Sequence, residues 1–547
     1  MKTKQLKELT YVLPLMALPL QAQNERPNII LINIDDLGWT DLACNGSKYY
    51  ETPNVDQLKA NGIWFQEAYA GAANSAPSRA CMLTGMNTPR HGMFTVGTSA
   101  RGGKPGKTKR RLIPIKNKGI LDAGIQMLPQ VLHDAGYQTA HIGKWHVTED
   151  PTQNGMDYNI AGCHAGSPGS YFAPYAKKIE HLTQGPDGEY LTYRLANEME
   201  KYLRNVDKSK PFFLYYATYA IHEPLQPTPE LLAKYEGKTG DQAHNNPKYG
   251  AMVESMDQTI GQLMKTLKEL HLEENTMIVF TGDNGGVWGT SKQWPLRAGK
   301  GCYYEGGIRI PMIIYQKGKF EKGNIDQVYV SQMDLFPTFL DAAHISTEGL
   351  LLDGKSLIPV MEGKDNHIGE RALYWNFPGY LEGGHAESHD PFWRSTPQAA
   401  IRKGDWKLIK FYEWGEVELY NLKEDISEKN NLAKVFPDKA KELLTDLEQW
   451  QKETNAPIAT ELDPLYVVPT GIQNSQKEKG IRISSKKKKI RVDSSADIES
   501  ILLYNAEGSL VAESNATEVN LGNYPAGTYI VKVKAQGTEK TEKIVLE

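Results

Sequence analysis

The chain has 547 residues, 40% hydrophobic and 23% charged. These proportions exclude wholesale disorder and a collagen-like chain, and the length suffices for a sizeable core. Lys plus Arg is 62 and Asp plus Glu is 66, a formal net charge of −4, so the balance gives no reason to expect a nucleic-acid partner.

Residues 1–22 have the pattern of a signal peptide. Lys2, Lys4 and Lys7 precede an apolar run from Tyr11 to Leu20, and Leu20-Gln21-Ala22 suits cleavage. That run is too short to span about 30 Å of hydrocarbon, and no later stretch is long and apolar enough, so no transmembrane segment is expected. The chain reads as exported, periplasmic or secreted. Four cysteines (Cys44, Cys81, Cys163 and Cys302) allow three pairings but are too few for a disulfide framework at this length.

Asn28 to Ile34 is a near-continuous apolar run ending in Asp35-Asp36, the pattern of a strand buried on both faces of a parallel sheet. Carboxylates at such a strand's C-terminal end stand where open α/β sheets place their sites. Thr52-Pro53 and Gly62 mark a helix start and stop. Ser75-Ala76-Pro77-Ser78-Arg79, then Leu83-Thr84-Gly85, reads as a second helix with Ser75 at its N-terminus, a natural anion site. Met127–Ala135 is helical and leads into Gln138–Ile142. Phe212–Tyr216 and Met277–Thr281 are further buried strands, the latter running into Gly282-Asp283-Asn284-Gly285-Gly286. Alternating strands and helices predict an α/β sandwich with a largely parallel central sheet.

After Asp353 the pattern changes. Ala399–Arg402, Trp406–Ile409 and Glu418–Leu422 are short strands, and Pro437 opens an amphipathic helix to Glu453. Gln473–Lys489 is polar and lysine-rich, as expected of a solvated linker. Ile501–Tyr504, Val519–Leu521, Thr528–Val533 and Lys543–Leu546 then form an all-β module with sandwich-like turn spacing. The expected organisation is a signal peptide at 1–22, a main α/β unit at 23–353, a smaller α+β subdomain at 354–470, a linker at 471–489 and a β-sandwich at 490–547.

The segment Ser75-Ala76-Pro77-Ser78-Arg79 with Leu83-Thr84-Gly85 resembles the signature of the type I sulfatases of the alkaline phosphatase superfamily, in its serine version. The resemblance covers roughly Pro27 to Asp425 and implies an alkaline-phosphatase-like sandwich. It implies that a maturation enzyme oxidises Ser75 to formylglycine, whose hydrate attacks with one hydroxyl and expels sulfate when the other reforms the aldehyde. It further implies that Asp35, Asp36, Asp283 and Asn284, with residue 75 itself, hold a divalent cation. The all-oxygen set suits calcium, whereas zinc would call for histidines. Gly143-Lys144-Trp145-His146, Ile221-His222-Glu223-Pro224 and Gly299-Lys300-Gly301 match further family segments. By resemblance Lys144, His222 and Lys300 hold the sulfate oxygens, Arg79 adds positive charge, and His146 steadies the nucleophile. His222 and Lys300 are both candidates for the general acid. Each element alone has a plainer reading, Asp283-Asn284-Gly285-Gly286 as a turn for example; their joint occurrence in the family's order carries the inference.

Two features lie outside that set. Arg101 to Lys118 carries eight basic and no acidic residues, either a solvated loop or a rim for a polyanionic glycan. Tyr374 to Tyr380, with His385, His389, Trp393 and Arg394 downstream, is aromatic enough to line a sugar pocket or to be core. The end of the chain, Leu521-Gly522-Asn523-Tyr524-Pro525-Ala526-Gly527-Thr528-Tyr529 onward, resembles the C-terminal sorting modules of Bacteroidota secreted proteins. The expected function is hydrolysis of O-sulfate esters on sulfated carbohydrates. A phosphohydrolase of the same superfamily and a non-catalytic sulfoglycan-binding protein are the alternatives.

Overall fold

Asn28–Ile34 is buried at every residue and lies in the middle of a nine-stranded sheet. It pairs in parallel with Phe212–Ala217 on one side and Thr276–Gly282 on the other. Gln138–Gly143 and Tyr158–Ile160 continue the first flank, also in parallel. On the second flank Met312–Tyr315 runs antiparallel between Thr276–Gly282 and Ile63–Tyr69. Gly323–Ser331 closes the edge parallel to Ile63–Tyr69, and Arg309–Ile310 adds a short antiparallel pairing to the same strand.

The computed structural model describes residues 26–98, 110–177, 179–364, 367–466, 481–486, 489–494, 497–505, 509–535 and 538–546, and the short strands Gly103–Lys104 and Lys107–Thr108. The expected signal peptide lies outside the described residues. Two units are distinguished: Met1–Gly103 with Arg110–Asp463, and Lys104–Lys109 with Pro464–Glu547.

The apolar run of the central strand has a direct cause. Successive side chains of a strand point to opposite faces. Ile30, Ile32 and Ile34 enter one core with Leu195 and Met199 of the helix Leu191–Asn205 and with Ile260 and Leu263 of Pro247–Glu269. Ile29 and Leu31 enter the other, with Met82 and Leu83 of Ser75–Thr84 and Phe336 and Phe339 of Leu335–Ala342. Each fully buried Ile or Leu contributes about 1.5–3 kcal/mol; the buried polar Asn33 is accommodated because its Nδ2 donates to the Tyr215 hydroxyl.

Helix boundaries fall where proline and glycine place them. Pro53–Asn61 starts at its proline and is capped by Gly62. Ser75–Thr84 ends at Gly85, whose φ of 68° is the left-handed conformation of a helix C-cap.

Ala372–Phe377, Gln398–Lys403, Trp406–Phe411 and Glu416–Asn421 form a four-stranded antiparallel sheet. The helix Pro437–Glu453 packs Leu443, Leu447 and Trp450 against it. All four cysteines are free thiols. Among the described residues no helix is long and apolar enough to cross a membrane.

In the second unit Ile481–Lys486, Lys489–Ser494 and Glu518–Asn520 make one antiparallel sheet; Leu510–Ser514, Ile498–Tyr504, Gly527–Ala535 and Thr538–Leu546 make another. Their inward residues share one apolar cluster. This corrects the expected linker at 471–489. Ile481–Lys486 is a strand paired with Lys489–Ser494, because Ile481, Ile483, Ile490 and Val492 alternate inward. The rest of that linker, through residue 480, lies outside the described residues.

Candidate active site

The carboxyl ends of neighbouring strands converge on one place, as in other open α/β sheets. Asp35 and Asp36 follow Asn28–Ile34, and Asp283 and Asn284 follow Thr276–Gly282; the register pairs Ile34 with Gly282, so the acidic pairs are side by side. Lys144 follows Gln138–Gly143, where Gly143 pairs with Ala217. Gly143 has φ of 110°, and a Cβ there would lie 2.1 Å from Ala217 O, so only glycine lets Lys144 turn in.

Ser75 is the first residue of its helix. Its Oγ lies 3.1 Å from both Asp35 Oδ1 and Asn284 Oδ1. Asp36 has φ of 60°, an uncommon conformation for a residue with a side chain, and its N–H donates to Asp283 Oδ1 at 3.0 Å. Asn284 Nδ2 donates to Asp36 Oδ1 at 2.9 Å. Arg79, fully buried, donates through Nε to Asp283 Oδ2 at 2.9 Å and through a terminal nitrogen to Lys144 O at 2.8 Å. Lys144 Nζ is 2.6 Å from Asp35 Oδ2, and Lys300 Nζ is 2.5 Å from Asp36 Oδ1. His222 Nε2 is 3.8 Å from Asp36 Oδ2, its Nδ1 2.7 Å from the Glu223 carbonyl.

The electrostatics follow from burial. Desolvation pushes Asp35 up, with Asp283 and Asp36 adding to it against the pull of Lys144. Desolvation also opposes ionisation of Asp36, but Lys300 and His222 hold it below the usual carboxylate range. Lys144 is lowered by burial despite Asp35; Lys300, partly buried, is raised by Asp36, Asp35 and Asp283 against desolvation. His146 is pushed far down by burial and by Lys144 and Arg79, so its ring is neutral. Three carboxylates crowded in a low-dielectric pocket favour additional positive charge. The ligand atoms of Asp35, Asp36 and His222 lie within 4.8 Å of one another. Asp283, Asn284 and residue 75 add only oxygen, a donor set that fits a hard divalent cation.

Nine of the ten sequence-expected residues (Asp35, Asp36, Ser75, Arg79, Lys144, His222, Asp283, Asn284 and Lys300) are linked by these contacts. His146 stands apart: its φ is 67°, its buried Nδ1 has no hydrogen-bond partner, and its ring lies 5.8 Å from that of His164.

Supporting contacts that the motifs did not reveal complete the site. Ser78 Oγ donates to Gln332 Oε1 at 2.7 Å, and Gln332 Nε2 donates to Gly282 O at 2.6 Å, tying the Ser75 helix to the strand that ends in Asp283. The Tyr215 hydroxyl accepts from Asn33 Nδ2 at 3.0 Å and from Arg79 at 3.3 Å. Tyr171 donates to the carbonyls of Tyr219 and His222 at 2.5 and 2.9 Å. Only the reading of Phe212–Tyr216 as a buried strand bore on Tyr215; the other partners are distant in sequence.

The aromatic stretch divides. Tyr374 stacks on Trp450, Trp375 Nε1 donates to Ala70 O, and Tyr380 and Trp393 are buried: these are core. His389 is held by Glu416 and Glu418. The Arg394 stem lies against Gly301, and the His385 ring stacks on that of Trp288. In the basic run the side chains at 101, 104, 107 and 109 lie outside the described residues. Arg110 pairs with Asp463, Arg111 lies over Trp414, and Lys118 pairs with Asp122.

The model of the sulfatase family matches residues 27–345, and that described as N-sulphoglucosamine sulphohydrolase, C-terminal, matches residues 298–455. A secretion system C-terminal sorting domain matches residues 484–547 and marks the chain for export. A sulfatase of Formosa agariphila is 32% identical over 79% of this chain and 90% of its own length. Human N-acetylgalactosamine-6-sulfatase is 30% identical over 61% of this chain and 66% of its own. The crystal structure of Ps i-CgsB in complex with k-i-k-neocarrahexaose has a TM-score of 0.64 and 29% identity, covering 78% of this chain and 93% of that one. Phosphonate monoester hydrolase of Agrobacterium radiobacter shares the fold, at 20% identity and a TM-score of 0.58, over 78% of this chain and 96% of its own. The match spans the central sheet and every strand end of the site, and the chain belongs to the sulfatase family of enzymes that hydrolyse sulfate esters.

Proposed function

We propose that the protein hydrolyses O-sulfate esters on sulfated carbohydrates, with a formylglycine made from Ser75 as the nucleophile. The observation that carries this is the position of Ser75 Oγ, 3.1 Å from Asp35 Oδ1 and Asn284 Oδ1 at the head of a buried helix. Asp35, Asp36, Asp283, Asn284 and residue 75 would hold a calcium ion, which when bound supplies charge stabilisation to the nucleophile and the sulfate. The hydrated aldehyde supplies a geminal diol in place of a single hydroxyl, so that sulfate can leave without a second displacement.

The residues around it divide the remaining work. Arg79 is committed to Asp283 and to the Lys144 carbonyl, and orients both. Lys144 pairs with Asp35 and Lys300 with Asp36, and their ammonium groups would serve the sulfate oxygens. By the family resemblance His146, whose buried Nδ1 is unpartnered, would steady the hydrated nucleophile. Lys300 is raised by Asp36 and its neighbours, which makes it a poor proton donor. His222 has Nδ1 fixed on a backbone carbonyl and a side chain 19% exposed. We assign it the delivery of a proton from Nε2 to the departing alkoxide oxygen. The human relative acts on an N-acetylgalactosamine 6-sulfate and Ps i-CgsB holds a neocarrahexaose, which supports a carbohydrate substrate for an exported enzyme. A formylglycine-generating maturation enzyme is the partner this requires.

The test is sulfate release by matured full-length protein from a panel of sulfated mono- and oligosaccharides, with Ser75→Ala as control. A peptide around residue 75 lighter by about 2 Da, the loss of two hydrogens, establishes conversion. Release that survives in Ser75→Ala, or none from converted protein on any sulfate ester, would overturn the reading.

A further inference from the structure

Two glycines flank Lys300. A Cβ on Gly299 would fall 2.4 Å from Gly286 O and 3.1 Å from Trp288 N, and one on Gly301, where φ is +88°, would fall 2.3 Å from Arg394 Cδ. The loop after Asn284 therefore presses on one side of Lys300, and the Arg394 stem on the other. Lys300 N donates to Gly286 O, and Gly301 N donates to Ala73 O at 2.8 Å, two residues before Ser75.

Above this floor Trp288 and His385 stack face to face, with centroids 4.3 Å apart and planes at 2°. Lys292 Nζ lies 5.3 Å from the Trp288 ring centre. Arg394 continues past Gly383, where a Cβ would meet its guanidinium at 2.9 Å. Its Nε reaches the Gly383 carbonyl only at 3.5 Å. Among the described residues neither Arg394 nor Lys292 has a carboxylate partner. The neighbouring Arg297 contrasts: it donates to Glu387 O, the Tyr420 hydroxyl and Glu428 O. A half-buried guanidinium whose contact is this long backbone hydrogen bond, with no carboxylate partner among the described residues, is set to take an anion from outside.

We propose that Arg394, with Lys292 and the Trp288–His385 stack, forms a subsite for a second anionic group on the sugar chain that carries the scissile sulfate. The guanidinium fork takes a carboxylate or sulfate in two parallel hydrogen bonds, and the stacked rings give the sugar a flat apolar wall. The preferred substrate is then a glycan with at least two negative charges, not a lone sulfated sugar. This rests on the carbohydrate-sulfatase reading.

The test is affinity electrophoresis of the full-length protein through gels containing iota-carrageenan, kappa-carrageenan, chondroitin 6-sulfate or neutral dextran. Iota-carrageenan has two sulfates per repeat, kappa-carrageenan one, and chondroitin sulfate adds a carboxylate. Wild type should be retarded by at least one of the doubly charged chains more than by kappa-carrageenan, and not by dextran. Arg394→Gln should weaken the stronger interaction at least tenfold and flatten the difference between singly and doubly charged chains. Arg394→Lys should recover part of it, since one charge remains without the fork. Exposed Lys292→Gln, which leaves the fold undisturbed, should lose about threefold and serves if Arg394→Gln melts early. Equal retardation of wild type and all three variants, or no retardation of wild type by any polyanion, overturns the proposal. Arg394-dependent retardation by a converted protein that releases no sulfate supports the subsite and refutes the hydrolytic reading.

Discussion

Lys407 lies on the strand Trp406–Phe411, wholly buried, with Nζ 3.0 Å from Glu305 Oε1 and 2.9 Å from Glu428 Oε1. Glu428 Oε2 accepts the backbone N–H of Glu305 at 2.6 Å, so one ammonium holds together the turn that follows Lys300 and the smaller subdomain. Lys407→Met keeps the apolar stem and removes the charge. At an effective dielectric of about 20, each 3 Å contact is worth about 5 kcal/mol before desolvation, and breaking buried pairs costs about 3–5 kcal/mol net. That is a large share of a total stability of about 5–15 kcal/mol. The loss should depend on pH. Burial already raises Glu428 to about 7, from 4.5 in the unfolded chain, in spite of Lys407. A carboxyl raised in the folded state favours folding below pH 4.5, and that contribution is lost as pH rises through 7. Without Lys407 both carboxyls move further up, so the deficit at pH 8 should exceed that at pH 5 by about 1.4 kcal/mol or more. The assay is urea unfolding followed by tryptophan fluorescence, which reports only the catalytic unit because all 10 tryptophans precede residue 464. A deficit below about 1 kcal/mol, or one equal at both pH values, would refute the reasoning, since an uncompensated buried carboxylate costs more than that.

Two further outcomes follow from buried groups and from the donor set. Burial, with a contribution from Lys118, lowers His91 to about 3 from 6.5 in the unfolded chain. As pH falls from 6.5 the unfolded chain gains a proton that the folded one refuses, and wild type should lose stability more steeply than His91→Gln, by about 1.4 kcal/mol per pH unit; parallel slopes in urea titrations between pH 6 and pH 4 would refute it. Dialysis against a chelator should lower the melting temperature of the full-length protein, and calcium at a hundred times its Kd should restore about 2.7 kcal/mol; Asp283→Asn should blunt that recovery, and a melting temperature indifferent to chelator and calcium would remove the cation from the site.

Local pattern was enough for the central strand, for helices bounded by Pro53, Gly62 and Gly85, and for a helix headed by Ser75. Burial on both faces demands an unbroken apolar run, and proline and glycine act on the backbone where they stand. Part of the site was legible for a related reason: Asp35-Asp36 stand where an apolar run ends, while the remaining site residues came from the family resemblance. Tertiary structure decided what joins residues far apart. Ser78 meets Gln332 across 254 positions, and Tyr215 reaches Arg79 across 136; no local periodicity encodes such partners. It also divided the aromatic stretch, since Trp375 and Tyr380 are buried in core clusters while the Arg394 stem lies against Gly301 and His385 stacks on Trp288. At Ile481–Lys486 the lysines dominated the local pattern, and only pairing with Lys489–Ser494 turned the alternate isoleucines inward. Side-chain direction in a strand is set by its partner strand and by the core it meets, and neither is present in the segment itself.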